Sequence, residues 1–503
     1  MERFSLSYVP AELLNIILSY LSRKAKWKLR ELSKEFRDIY VPSSMVSVKM
    51  SHFRYNEHPV GIRILEDLFC KCHYIQKLDL TLNSASANLS CSMTEEYSEY
   101  LEALFDEENS TVFKTCKTII LKGFSINNPE RYFFAISQPL RNLDFSEIFC
   151  CNSGRCRSSC LKGCLWRRTS ALSCILCGKK LSLKSLEELS INMCSSKDEN
   201  IPDSWYEDLG AFLDSFPNLS SISLNGMRIG ENYIFLHDSL KRVEKINLQQ
   251  NGINAAIAMN LCNSLDLDKL EVFNLALNWL GPQGLVTTRE RFLEMSCLKE
   301  LHLNGNKMFK GHHDIEVMTS ILQGLDNLEV LSLQENSMSP EDFKYCLRVL
   351  FKTKTLTHLN LSRNGLSEHS IRIFIKYMEK GHFKNLKFLD FSFNQINIEG
   401  FEALCKFYTQ NYEFCPSELM LRGMNFDYDK AKFNLHQSEN SEEHIWEFYP
   451  QLKVLQQMIS QVARPGFKKL ALKPNNLRRN VKTNFKNSIQ ELYPQIEAVS
   501  LLL

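Results

Sequence analysis

Seven cysteines crowd one short stretch of this chain: Cys150, Cys151, Cys156, Cys160, Cys164, Cys174 and Cys177. Thiolates are soft metal ligands, and four of them close a tetrahedral zinc site. Cys174 and Cys177 form a C-x2-C knuckle, and Cys160 and Cys164 complete the simplest ligand set. The spacing is not that of a paired-knuckle motif, so two readings stand: a structural zinc, or a surface loop of reduced thiols. From Arg155 to Lys184 the chain also carries eight basic residues and no acid. A stretch of that charge suits an acidic partner or nucleic acid.

Outside this stretch the sequence holds little that does chemistry. It has no phosphate-cradling Walker loop, no zinc-protease helix and no nucleophile elbow. The expectation is a chain that binds rather than catalyses, with a structural zinc as the one cofactor to weigh. Hydrophobic residues make 44% and charged residues 23% of 503, the mix of a folded protein. A net charge of +2 gives no global field toward nucleic acid or a membrane. No apolar run reaches the roughly 18–20 residues of a membrane span. The 17 cysteines are an odd number without a recognisable leader, which suggests reduced thiols in the cytoplasm or nucleus.

The elements that position any site come from a recurring phrase. It reads Leu298-x-x-Leu301-x-Leu303-x-x-Asn306-x-Met308, and returns from Leu328, Leu356 and Leu386, at steps of 30, 28 and 30 residues. Apolar residues at its first, fourth and sixth places describe a short strand with one buried side. The Asn ends the strand, where its amide bonds backbone groups of a tight turn. Asn306, Asn336, Asn364 and Asn394 are therefore expected to stack as an internal, structural ladder. Between phrases lie helical stretches: Ile315 to Leu322, Pro340 to Phe351 behind Ser339 as N-cap, and Ser367 to Lys380 with Ile371, Phe374, Ile375 and Met378 on one face. Toward the N-terminus the register loosens. Leu270 to Leu280 and Val243 to Ile253 keep it; Leu219 to Ile229 has Met227 at the Asn place. Weaker copies begin at Leu186, Leu140, Cys116 and Ile75, and further copies follow at Leu419, Phe467 and Ile496.

A fixed period of this length marks a solenoid, and the phrase resembles the leucine-rich repeat. Strand plus full helix in 28–30 residues is similar to the ribonuclease-inhibitor type. That resemblance implies an α/β solenoid, a horseshoe with parallel strands inside and helices outside. Side chains between the buried leucines then point to open solvent. They nominate Lys245, Asn247, Glu300, His302, Ser332, Gln334, His358, Asn360, Phe388, Asp390 and Phe393 as a binding face for an unknown protein. Phe388 and Phe393 are the expected anchors, because exposed aromatics are enriched in hot spots. His302 and His358 lie two repeats apart and are not expected to share a metal.

The N-terminus carries a second pattern. Leu13, Leu14, Ile17 and Leu21 form one helical stripe after Pro10; Leu29, Leu32, Phe36 and Ile39 form another. With Glu12, Tyr20, Ser33 and Lys34 in place, the segment resembles an F-box; Val9 replaces the usual Leu and Phe36 the usual Trp. The resemblance implies a substrate receptor of a Skp–cullin–F-box ubiquitin ligase, itself without chemistry. Pro10, Leu13, Leu14, Ile17, Leu21, Leu29, Leu32 and Phe36 would contact the Skp adaptor, and through it cullin. The expected organisation is an F-box-like helical domain over 5–45, a solenoid over 46–430 interrupted by the cysteine-rich insertion 149–184, and a capping region over 431–503. The alternative is a leucine-rich-repeat scaffold or inhibitor with no ligase coupling. No membrane partner is expected, and nucleic acid is disfavoured by the small net charge.

Overall fold

The computed structural model describes residues 47–49, 77–81, 116–122, 140–146, 184–192, 203–423, 450–462 and 469–473. The chain divides into two compact units, Met1–Val243 and Glu244–Leu503.

In the first unit, six short strands pair in parallel and in sequence order: β1 (Ser47–Lys49), β2 (Lys77–Thr81), β3 (Thr118–Lys122), β4 (Asn142–Ser146), β5 (Glu188–Ser190) and β6 (Ser221–Ser223). The register aligns the predicted leucines: Leu78 lies opposite Ile119, Ile119 opposite Leu143, and Leu189 opposite Ile222. Strand β1 lies outside every phrase read from the sequence. Helix α1 (Asp203–Asp214) buries Trp205, Tyr206, Leu209, Phe212 and Leu213, and it packs on the 3-10 turn Gly230–Leu236 that leads into α2 (His237–Arg242).

The second unit continues the pattern with greater regularity. Its strands are β7 (Lys245–Asn247), β8 (Val272–Asn274), β9 (Glu300–His302), β10 (Val330–Ser332), β11 (His358–Asn360), β12 (Phe388–Asp390), β13 (Glu418–Arg422) and β14 (Lys469–Lys473). All neighbours are parallel and in order. The intervening helices are α3 (Ala255–Ser264), α4 (Gly281–Leu293), α5 (His312–Gly324), α6 (Pro340–Leu350), α7 (Glu368–Glu379), α8 (Ile398–Gln410) and α9 (Pro450–Val462). Each packs on the next, so the helices form an outer layer. No helix among the described residues is long and apolar enough to cross a membrane.

Local chemistry explains these boundaries. Helix α6 starts where predicted: Ser339 accepts from the Asp342 N–H at 3.1 Å, and the Asp342 carboxylate accepts from the Ser339 N–H at 3.0 Å. Asn254 and Asn397 cap α3 and α8 by accepting from Ile257 N and Gly400 N, each at 3.0 Å. Helix α5 is longer than the predicted Ile315–Leu322, because Asp314 Oδ2 accepts from Lys310 N and Gly311 N and secures its start. On α7, Ile371, Phe374 and Met378 are buried as read from the spacing, while Ile375 is half-buried.

The core is a stack of one central strand residue per repeat. Ile246, Phe273, Leu301, Leu331, Leu359, Leu389 and Leu419 are each at most 1% exposed. Full burial of such a side chain stabilises by about 1.5–3 kcal/mol, an upper estimate against a compact unfolded chain. Phe343, Phe374 and Phe391 fill the space between sheet and helices edge to face, with centroids 5.3 Å apart for Phe374 and Phe391 and 6.2 Å for Phe343 and Phe391.

The predicted asparagine ladder is present and longer than expected. Asn251 N donates to Asn278 Oδ1 at 2.9 Å, Asn306 N to Asn336 Oδ1 at 3.0 Å, Asn336 N to Asn364 Oδ1 at 3.0 Å, and Asn364 N to Asn394 Oδ1 at 2.9 Å. From Asn278 onward each amide also donates backwards to the preceding repeat, Asn278 Nδ2 reaching Leu248 O at 2.9 Å and Asn364 Nδ2 reaching Leu333 O at 3.0 Å. In the first unit Met227 cannot play this part. There the Tyr206 hydroxyl, delivered by α1, lies 3.0 Å from both the Met227 and Arg228 carbonyls.

The residue before each ladder Asn has left-handed backbone: Gln250, Leu277, Gly305, Glu335, Arg363 and Phe393 all have φ between 54° and 65°. Side chains rarely accept that geometry, and the sequence gives no sign of it. Gly305 shows why one site in the row is glycine. A Cβ there would meet Leu277 Cδ2 at 2.5 Å, so the preceding repeat's side chain lies across it.

Candidate protein-binding face

Among the described residues, the sheet of the second unit has one face against the helices and one free of them. The pairing register sorts the free face into rows. The first row runs Lys245, Val272, Glu300, Val330, His358, Phe388, Glu418; the second runs Asn247, Asn274, His302, Ser332, Asn360, Asp390, Met420. Every residue predicted for this face, Phe393 apart, lies in these rows or, for Gln334, just past the strand.

Their states differ from the uniform exposure expected. Lys245, Asn247, Glu300, His302, His358, Asn360, Phe388 and Asp390 are half-buried. Ser332 is buried, at 5% exposed, and Met420 at 4%, so these two do not offer contact area. A small serine set between longer neighbours falls below their envelope. Several second-row side chains are occupied by their own turn. Asn247 Oδ1 accepts from Gln249 N at 3.2 Å, Asn360 Oδ1 from Ser362 N at 3.0 Å, and Asp390 Oδ1 from Ser392 N at 2.8 Å. Asn360 also donates to Gln334 Oε1 at 3.2 Å. These oxygens close the strand ends, which is an Asx-turn function. Spacing alone marks such positions as outward and carries no sign of the bond.

The aromatic anchors behave differently from one another. Phe388 stacks on His358 with centroids 5.8 Å apart and planes 20° apart, while His358 Nδ1 meets Thr357 Oγ1 at 2.8 Å. Together they make a flat two-ring platform across β11 and β12. Phe393 does not lie on the strand. It occupies the left-handed turn position, 38% exposed, with the Arg363 guanidinium 4.5 Å over its ring and Gly423 beneath it. His302 Nε2 sits 3.4 Å from Glu300 Oε2 in its own repeat. Among the described residues no cluster of three or more His, Cys, Asp or Glu is arranged to hold a metal.

The spacing of the phrase gives no warning of a large exposed indole, the most exposed of the large apolar side chains among the described residues. Trp279 is 75% exposed and Leu277 beside it 42%. Both stand on the rim where β8 ends, and the Trp279 backbone N–H donates to Ile253 O at 2.9 Å. The phrase covers Leu277 and Trp279 only as variable positions next to Asn278. A bulky apolar residue in a variable turn position was the available signal. The predicted adaptor residues from Pro10 to Phe36 and the thiols Cys160, Cys164, Cys174 and Cys177 lie outside the described residues.

Comparison with known proteins agrees with this architecture. The profile described as Leucine Rich repeat matches residues 353–367 and 384–405. The repeats are leucine-rich repeats. NACHT, LRR and PYD domains-containing protein 4E of Mus musculus is 30% identical over 132 residues, which is 20% of this chain and 13% of that protein. Protein 4B of the same name and organism is 25% identical over 173 residues, 29% of this chain and 20% of its own length. NLR family CARD domain-containing protein 4 of Xenopus tropicalis is 25% identical over 177 residues, 33% of this chain and 17% of its own length. The matched stretches thus span a fifth or less of these relatives.

Proposed function

We propose that this chain is a non-catalytic scaffold whose leucine-rich repeats bind another protein. The observation that carries the reading is a preformed, unevenly apolar surface. The His358–Phe388 platform lies on the helix-free face, and Trp279 with Leu277 stands on its rim. Burying aromatic anchors of this kind dominates the energy of protein interfaces. The resemblance to proteins named for their LRR content supports the same reading. The partner is a protein with an apolar pocket for an indole and a flat contact for the stacked rings. The site of action is the cytoplasm or nucleus, and no cofactor is required.

The test is capture by the whole chain, with Trp279→Ala and Phe388→Ala beside the wild type. Loss of one captured protein in both variants, at unchanged thermal stability, supports the reading. A captured set identical in all three sinks it.

A second reading couples the same repeats to ubiquitin transfer. The stripe Pro10, Leu13, Leu14, Ile17, Leu21, Leu29, Leu32 and Phe36 favours it, through its resemblance to an F-box. In that case the chain brings its bound protein to a conjugating enzyme, and proximity is its whole contribution. Co-purification of the Skp adaptor and cullin with wild type, and not with Leu13→Asp/Leu14→Asp, separates this reading from the first.

A further inference from the structure

A second surface lies on the opposite edge of the sheet, where each helix ends and the next strand begins. In the loop after α6 and the loop after α7 five lysines are exposed: Lys352, Lys354, Lys380, Lys384 and Lys387. None of the five forms an ion pair with a described carboxylate. This contrasts with the same edge earlier in the unit, where Lys269 pairs with Asp266 at 2.6 Å and Lys299 with Glu271 at 2.5 Å. The edge thus changes in charge along its length, from neutralised lysines to unneutralised ones.

Two of the five are held in place rather than left loose. Lys380 Nζ lies 5.7 Å from the Tyr377 ring centre and Lys384 Nζ 5.4 Å from that of Phe414. Lys384 also crosses Gly381, whose φ of +84° and missing side chain make the space; a Cβ there would sit 3.6 Å from Lys384 Cε. Phe351, Tyr377 and His382 stack beneath the patch, Phe351 on Tyr377 at 5.6 Å and on His382 at 4.5 Å. Asn385 ties the two loops together by donating to Lys354 O at 2.8 Å. Fixed cations lose less entropy on meeting an anion than free ones do.

Exposed acids bound the patch. Asp326 and Glu329 are exposed in the corresponding loop one repeat before it, and Glu413 one repeat after. Glu379, at the end of α7, is the carboxylate nearest in sequence within it. A long polyanion running along the edge would meet repulsion on either side, whereas a short acidic segment fits between. We infer that this two-repeat lysine edge is a docking site for a short acidic segment of a partner protein. It is a different surface from the helix-free face and does not depend on that face being occupied.

The test uses the full chain and a fluorescent oligoglutamate peptide, read by anisotropy across a salt series. The variant Lys352→Gln/Lys354→Gln/Lys384→Gln/Lys387→Gln is compared with Lys269→Gln/Lys299→Gln, and thermal melts confirm that both fold. The expected result is roughly tenfold weaker binding in the first variant, little change in the second, and affinity that falls with salt. Equal binding by both variants, or none by wild type, overturns the inference. Single-stranded DNA of equal charge displacing the peptide at lower concentration overturns the choice of a protein segment as occupant.

Discussion

Replacing Asn278 by Ala is expected to remove more stability than its size suggests. Asn278 is 2% exposed. Its Oδ1 accepts from Asn251 N at 2.9 Å and Ile253 N at 3.0 Å; its Nδ2 donates to Leu248 O at 2.9 Å and Leu275 O at 3.0 Å. Alanine leaves two buried backbone N–H groups with no acceptor, at about 1–3 kcal/mol each. The carbonyls retain a second lone pair and lose less. The expected cost is therefore about 2–6 kcal/mol, most of it desolvation that is no longer offset. Asn385→Ala is the control: an exposed amide with one bond to Lys354 O, expected to cost no more than about 1 kcal/mol. Urea unfolding gives the midpoints, and amide exchange at Asn251 and Ile253 reads the local loss, because a repeat array need not unfold in one step. A cost below about 1 kcal/mol for Asn278→Ala, or protection unchanged at those two amides, would refute the reasoning.

Other outcomes follow from the same geometry. Tyr206→Phe should destabilise the first unit by about 1 kcal/mol, since its hydroxyl serves the turn where the ladder lacks an Asn. Burial pushes the Tyr206 phenol up to about 12. Its folded value therefore exceeds its ordinary 10, its contribution is complete below pH 10, and it is lost as pH rises toward 12; melts across that window check the sign. Cys297 is exposed, whereas Cys262, Cys346 and Cys405 are buried, with burial pushing the Cys262 thiol up to about 12 and the Cys346 and Cys405 thiols up as well. Iodoacetamide should label Cys297 ahead of those three at neutral pH, as peptide mapping will show. Gly305→Ala should cost about 1–2 kcal/mol, from a φ of +65° and the contact with Leu277; a neutral melt would deny that this packing matters.

The solenoid was legible because its energy lies in a repeated pattern of types. Leu301, Leu331 and Leu359 announce buried strand centres by spacing, and Asn306, Asn336 and Asn364 announce the turn. The weak copies at Leu78, Ile119 and Leu143 were also legible, although they lack neighbours of the same quality. What escaped depends on atoms rather than types. Tyr206 reaches Met227 from a helix some twenty residues away in sequence, and no local rule pairs them. The left-handed turns hold Gln250, Leu277, Arg363 and Phe393, residues with no preference for that backbone, because the ladder and sheet impose it. At the binding face, spacing identified which way side chains leave the strand. It did not distinguish Phe388, which stacks, from Asn360, which closes a turn, or Ser332, which is overshadowed. Trp279 was passed over because it stands in a variable position of the phrase. The predicted F-box-like segment and the cysteine-rich insertion lie outside the described residues.

The asparagine ladder also gives the array a polarity that its near-identical repeats would otherwise hide. The oxygens of Asn278, Asn336, Asn364 and Asn394 each receive two backbone N–H groups from the repeat before, as Asn364 does from Asn336 and Met338. A repeat thus relies on its successor for the acceptors of these N–H groups. Cutting the chain after a repeat strands two buried donors, whereas cutting before it strands an amide hydrogen on a side chain that can turn toward water. Loss of structure should therefore advance more readily from the carboxyl-terminal end, and a shortened array will tolerate trimming at its beginning better than at its close.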